Sequence, residues 1–169
     1  MILLESWRDF FVAEVGASAA LAGLLFVALS INIQQILQFG HLPIRAAHTL
    51  TMLMAALIVS SIALIAAPPH AILTTLAIVT LANWLLSVGF VYRYSRPASD
   101  AAADTFVQPM WYLISFGASS QGASLPLAVG ALVALGGNDQ GWYWIAAGIL
   151  LSFASAVYNT WVLLVEILR

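Results

Sequence analysis

Five runs of about 20 apolar residues, each closed by a polar or proline-bearing break, limit what this chain can become more than any other feature. An α-helix rises about 1.5 Å per residue, so a run of that length crosses the roughly 30 Å hydrocarbon core of a bilayer. In lipid such a run pairs its own backbone N–H and C=O groups by being helical. The spans fall at roughly 10–33, 46–67, 71–92, 110–135 and 142–168. The first is closed by Gln34, Gln35, Gln38, Gly40, His41 and Pro43, which read as a polar turn. Pro68-Pro69 closes the second, because proline removes a donor and biases its predecessor away from helix. Residues 93–109 form the longest polar stretch and the main loop, and the glycines and Asn138-Asp139 of GGNDQG turn the chain before the last span.

Composition agrees. Hydrophobic residues make up 63% of the 169 and charged residues 7%, with mean hydropathy +1.00, whereas soluble domains are about half apolar and a quarter charged. The expected fold class is therefore an all-α integral membrane protein, a single transmembrane bundle of five helices with no separate soluble domain. The N-terminal MILLESWRDFF lacks the basic n-region and small-residue cleavage site of a signal peptide, so the first span is expected to be retained. A net charge of −2 provides no basic stripe for nucleic acid, and the absence of cysteine removes thiolate catalysis, disulfides and Cys-based metal sites.

Five crossings put the termini on opposite faces. Arg45, Arg93, Arg96 and Arg169 share one side and Arg8 stands on the other, so the positive-inside rule expects the N-terminus outside and the C-terminus cytoplasmic. Many of the Trp and Tyr residues cluster near the predicted interfaces, where amphipathic rings prefer to sit, although Trp84 and Trp161 lie deeper. The localisation expected is a bacterial plasma (inner) membrane, multi-pass.

Helices in lipid associate through small residues and a few polar contacts. In the first span Ala13, Gly16, Ala20, Gly23, Val27 and Ser30 share a face, which reads as a helix-packing surface. The last span carries a similar stripe, Gly148, Ser152, Ser155, Asn159, Val162 and Glu166, growing more polar toward its C-terminal end. It reads as a helix interface with hydroxyl and amide cross-links, or as one wall of a polar path. In the fourth span Ser115, Ser119, Ser120, Gln121, Gly122 and Ser124 precede Pro126, which frees a carbonyl and marks a possible kink or break. Asn83 and Ser87 in the third span are expected to make an interhelical hydrogen bond.

Glu14 stands out because an ionised carboxylate about one turn inside a span is costly without water, a cation or a partner. It reaches the headgroups, pairs with Arg8 or His70, or forms an acidic ring at the mouth of an oligomeric pore. Asn32 lies near the other end of the same helix, on roughly the face of Glu14, Ser18, Leu21 and Leu25, the pattern of a narrow pore with a hydrophobic constriction and equally of any helix with polar ends. His41 and His48 fall on one side and His70 on the other, so the three cannot share a metal in a monomer, and each reads as a solvated interface histidine. No metal site and no cofactor is expected.

No Gly-x-Ser-x-Gly, His-Glu-x-x-His, P-loop or dinucleotide fingerprint is present, and Asp9, Asp100, Asp104 and Asp139 all fall in flanks, so the chain is not expected to be an enzyme. The residues point instead to a homo-oligomeric, channel-like permeation protein conducting inorganic cations, with the first helix near the path. Glu14, Ser18, Asn32, Asn159 and Glu166 are the candidates along that path, and Gly16, Ala20, Gly23, Gly148, Ser152 and Ser155 are candidate packing residues. The alternative from the same residues is an accessory or scaffold subunit that modulates a larger membrane partner and passes nothing itself.

Overall fold

The computed structural model describes residues 2–38, 42–95 and 110–168, with side chains at 6–38, 42–95 and 113–165. Residues 96–109 of the loop read at 93–109, with Arg96, Asp100 and Asp104, together with Gly40, His41, Arg169 and the side chain of Glu166, lie outside these described residues. Six helices follow in order: α1 (Ile2–Ile31), α2 (Ile33–Gln38), α3 (Leu42–Ala63), α4 (Pro69–Ser95), α5 (Met110–Leu135) and α6 (Gln140–Leu168). Five of them, all but α2, are long and apolar enough to cross a membrane.

The breaks differ from those expected, for local reasons. Residues Gln34, Gln35 and Gln38 form the helix α2 rather than an open turn. Glutamine is a good helix former, and Ile36, 1% exposed, anchors the segment against Leu42, Ala46 and Leu163. Asn32 makes the joint, donating from Nδ2 to the Ala28 carbonyl at 2.9 Å. Next, α3 starts at Leu42, four residues before the expected position, because Pro43 falls in its first turn, where a missing N–H costs nothing. It also stops at Ala63, short of the prolines, through tightened turns from Leu64 N–H to the Ser61 carbonyl and Ile65 N–H to the Ile62 carbonyl. Pro69 then opens α4, while the Pro68 carbonyl accepts from Ala71 and Ile72. α5 is helical without a break through Pro126, so the broken-helix possibility is not realised.

Helices α3, α4, α5 and α6 close a ring in which each packs on two neighbours, and α1 lies outside it against α3. Over half of the α3 span is buried inside the protein against about a quarter of α1, which makes α3 the central element. Successive spans are antiparallel: Gly148 meets Leu127 and Ser155 meets Ser119 along the α5–α6 pair. At one end of the bundle an apolar core joins Phe11, Val59, Ile72, Leu127, Ile145 and Ile149, capped by the edge-on pair of Phe11 and Trp142 at 5.8 Å. Polar side chains gather toward the other end, around Arg45.

The α5–α6 hairpin shows how tightly sequence sets spacing. Gly137 adopts φ +84°, the left-handed conformation that ends a helix, and Asn138 N–H bonds back to the Val133 carbonyl. Beyond the turn, a Cβ added at Gly148 would come within 2.7 Å of the Leu127 side chain, so only glycine permits this approach.

Candidate functional site

Arg45 lies in the first turn of α3 and is 1% exposed. Its Nε donates to Asn159 Oδ1 of α6 at 2.9 Å, and its guanidinium carbon stands 5.5 Å from the centre of the Phe116 ring and 6.0 Å from that of Tyr94. Both rings offer it a negative face. Asn159 in turn reaches Ser119 Oγ of α5 at 3.5 Å, and Ser155 donates to the Ser119 carbonyl at 2.9 Å. The polar stripe of α6 thus faces α5 and α3 and is spent in cross-links.

His48 sits one turn along α3, on the face of Arg45, and is equally buried. Its Nε2 lies 2.9 Å from Ser120 Oγ of α5 and 3.4 Å from Ser87 Oγ of α4, and the two hydroxyls bond each other. Ser124 donates to Ser87 at 3.1 Å, Gln121 reaches the same hydroxyl at 3.5 Å, and Trp84 donates to Gln121 Oε1 at 2.9 Å. Phe90 and Phe116 stand edge-on to the imidazole at 5.3 and 5.0 Å, shutting it from lipid. The result is one hydrogen-bonded cluster drawn from α3, α4, α5 and α6.

Two nitrogens of this cluster are buried without a hydrogen-bond partner: Arg45 Nη2 and His48 Nδ1. Among the described side chains no carboxylate accompanies the guanidinium. Buried charges are ordinarily paired, because desolvating an ion costs several kcal/mol, and cation–π contacts return only about 2 kcal/mol when desolvated. Among the described side chains, the cluster therefore holds a positive charge without a counter-charge and an unspent donor at Arg45 Nη2.

The other path candidates lie elsewhere. Glu14 is buried, on the α1 face that also carries Phe11, Ser18, Ala22 and Leu25. Among the described residues no hydrogen bond or ion pair joins it to Arg8 or His70, which are themselves exposed. Its Oε2 has no hydrogen-bond partner, and neither has Ser60 Oγ on α3. Phe11 belongs to one apolar cluster with Ala63, and Ala22 to another with Leu53, the order expected of an antiparallel α1–α3 pair. Ser18 bonds the Glu14 carbonyl of its own helix. Asn32 serves the α1–α2 joint, and Asn159 belongs to the Arg45 cluster, so the four candidates with described side chains do not line one continuous path.

Small-residue faces divide in the same way. Gly148, Ser152 and Ser155 are buried, whereas Ala13, Gly16, Ala20, Gly23, Val27 and Ser30 are all exposed, with open space beside Gly16 and Gly23. The α6 stripe packs on α5; the α1 stripe is left exposed among the described residues.

Cross-links are expected from sequence at Ser87 and along the α6 stripe that holds Ser155 and Asn159, while Ser119, Ser120 and Ser124 read only as the polar run before a kink at Pro126, and Arg45 and His48 are missed. His48 is corrected from a solvated interface histidine to a buried one, and Arg45 from a marker of sidedness to the centre of the site. Had Pro43 been read as the opening of a helix rather than the close of a turn, Arg45 and His48 would have stood three apart on one face of a span. Nearby, a mostly apolar groove of about 390 Å³ between α1, α2 and α3 is lined by Phe26, Ile33, Pro43 and Leu50, with Ser30 at its wall. The chain matches no family model, no curated protein and no solved structure.

Proposed function

We propose that this chain is a homo-oligomeric ion-permeation protein of a bacterial plasma membrane, its path running inside each protomer with the Arg45 and His48 cluster as the station on the cytoplasmic side. One observation carries this: a guanidinium and an imidazole are buried side by side in a transmembrane bundle, each with a nitrogen left unbonded. A cluster that served only to pin helices together would be expected to satisfy all its groups or to be apolar. Ionisable groups at membrane depth mark ion and substrate routes by default. Glu14, buried with its Oε2 unbonded, is the second station, toward the outer side. Because Glu14 faces its own α3, it acts within the protomer and not as a ring around an oligomer axis.

The test is ion flux into liposomes containing the purified protein. Arg45→Gln and Glu14→Gln are expected to lower flux by more than tenfold while retaining helical content and the elution volume of the wild type in detergent. Folded variants that both conduct at the wild-type rate would refute the assignment.

One observation favours a second reading, the accessory subunit. The small-residue face of α1 is exposed, with open space beside Gly16 and Gly23, and can receive a helix from another membrane protein. That reading expects no flux and a foreign membrane protein co-purifying at fixed stoichiometry, lost in Gly16→Leu.

A further inference from the structure

The geometry points to a small monovalent inorganic anion, of the size and charge of chloride or bromide, bound at Arg45 Nη2 within the buried cluster. The inference deepens the permeation reading by naming the charge that its inner station takes, and it rests on that cluster being a functional site. The cation expected from Glu14 would concern the other station.

Three features converge. First, the cluster holds a full positive charge at 1% exposure with no described carboxylate beside it, so its missing component is negative. Second, several of its donors are unspent. Arg45 Nη2 is unused, the amide nitrogens of Asn159 and Gln121 make only long contacts of 3.5 Å, and the Asn159 and Gln121 oxygens already accept from Arg45 and Trp84. Serine hydroxyls can turn to donate as readily as to accept. An acceptor that needs several donors and gives none is what such a set lacks. Third, burial selects size. A lipid phosphate carries its glycerol and tails with it and is far too large for a guanidinium enclosed by Phe116, Tyr94 and Asn159, so the ligand must be no larger than a monatomic ion. The first turn of α3, with its free N–H groups, adds positive potential at the same end.

The experiment compares thermal unfolding of the full chain in detergent when sodium gluconate is replaced by sodium bromide at constant ionic strength. Wild type is expected to gain about 5 °C or more at saturating bromide, as for any ligand that binds only the folded state. Arg45→Gln is expected to lose that gain. Should Arg45→Gln fail to fold, Asn159→Asp serves instead: its carboxylate supplies the counter-charge from within, so this variant is expected to match bromide-loaded wild type in gluconate and to gain nothing from bromide. Glu166→Gln is expected to keep the full gain. In crystals of the wild type soaked in bromide, anomalous scattering is expected to show one peak within hydrogen-bond reach of Arg45 Nη2.

Equal unfolding temperatures in bromide and gluconate would overturn the proposal, as would a gain that survives in Asn159→Asp. A gain that vanishes in Glu166→Gln would identify that carboxylate as the counter-charge and equally overturn it, and a response to added phosphatidylglycerol but not to bromide would assign the charge to a headgroup. Bromide binding without liposome flux would leave the anion site standing and remove permeation alone.

Discussion

Helices α1 and α6 carry stripes of small residues with nearly the same spacing, yet one is packed and the other bare. On α6, Gly148 lets α5 approach until a Cβ would collide with Leu127, and the next turns spend Ser155 and Asn159 on Ser119 and Arg45. On α1, a Cβ added at Gly16 or Gly23 would meet no neighbouring element within 4 Å, and Ser30 bonds the Phe26 carbonyl of its own helix. The difference lies in what else each helix offers. The α6 stripe combines small residues with polar groups that find partners on two helices. On α1 those two properties are on opposite faces, and the face with Phe11, Glu14 and Ser18 turns to α3. Small residues permit close approach, and polar and aromatic neighbours decide whether a protomer uses it.

The comparison is sharpest where the approach is closest. Gly148→Leu puts a branched side chain where Leu127 and its backbone already stand, so α5 and α6 must separate along their length. Overpacking of this kind costs about 3 kcal/mol, a large part of the stability of a small bundle. The expected result is a protein that unfolds at much lower SDS mole fraction than wild type, or fails to accumulate. Wild-type resistance to SDS would mean that the stripe on α6 is as idle as that on α1.

Next in size is Asn159→Ala. The amide oxygen is the hydrogen-bond acceptor for Arg45 Nε, so removing it leaves the charge more exposed to its own desolvation. A hydrogen bond to a charged group is worth about 2 kcal/mol, and the same loss is expected in the unfolding midpoint. In a double-mutant cycle with Arg45→Gln most of that loss should disappear, because the two residues act as one unit. Additive effects would break the link between them.

These two residues also show what the sequence could and could not convey. The five spans were legible because lipid imposes length and apolarity on each helix separately, and that constraint is written locally. The α6 interface was legible because its small and polar residues fall on one stripe. Arg45 was not, since a single proline decides whether it belongs to a loop or to a helix, and Pro43 is compatible with either. The choice between the two faces of α1 was not legible at all. It depends on the shape of α3 and on Phe11 meeting Trp142 across more than a hundred residues, a tertiary match that no periodicity encodes.

Smaller again is Ser155→Ala. Its hydroxyl donates to the Ser119 carbonyl, which α5 already has the means to satisfy within its own helix. Interhelical hydrogen bonds in membranes average about 0.6 kcal/mol, and a midpoint shift of that order is expected. A loss as large as that from Asn159→Ala would place the strength of the α5–α6 contact in its hydroxyls and away from its close packing.

The smallest effect on the protomer belongs to Gly16→Leu combined with Gly23→Leu. Both positions open onto free space, and leucine is as compatible with lipid as it is with helix, so the unfolding midpoint should stay within about 0.5 kcal/mol of wild type. Self-association should not be so indifferent. If copies of the chain meet through this face, two leucines hold the backbones apart and remove the packing that brings helices together in lipid. Single-molecule photobleaching in liposomes is therefore expected to change from multiple steps to one, with the fold unaltered. Loss of the fold would show that α1 uses this face within its own protomer. An unchanged step number in a folded variant would move the association surface off α1 and leave its small residues without a role in assembly.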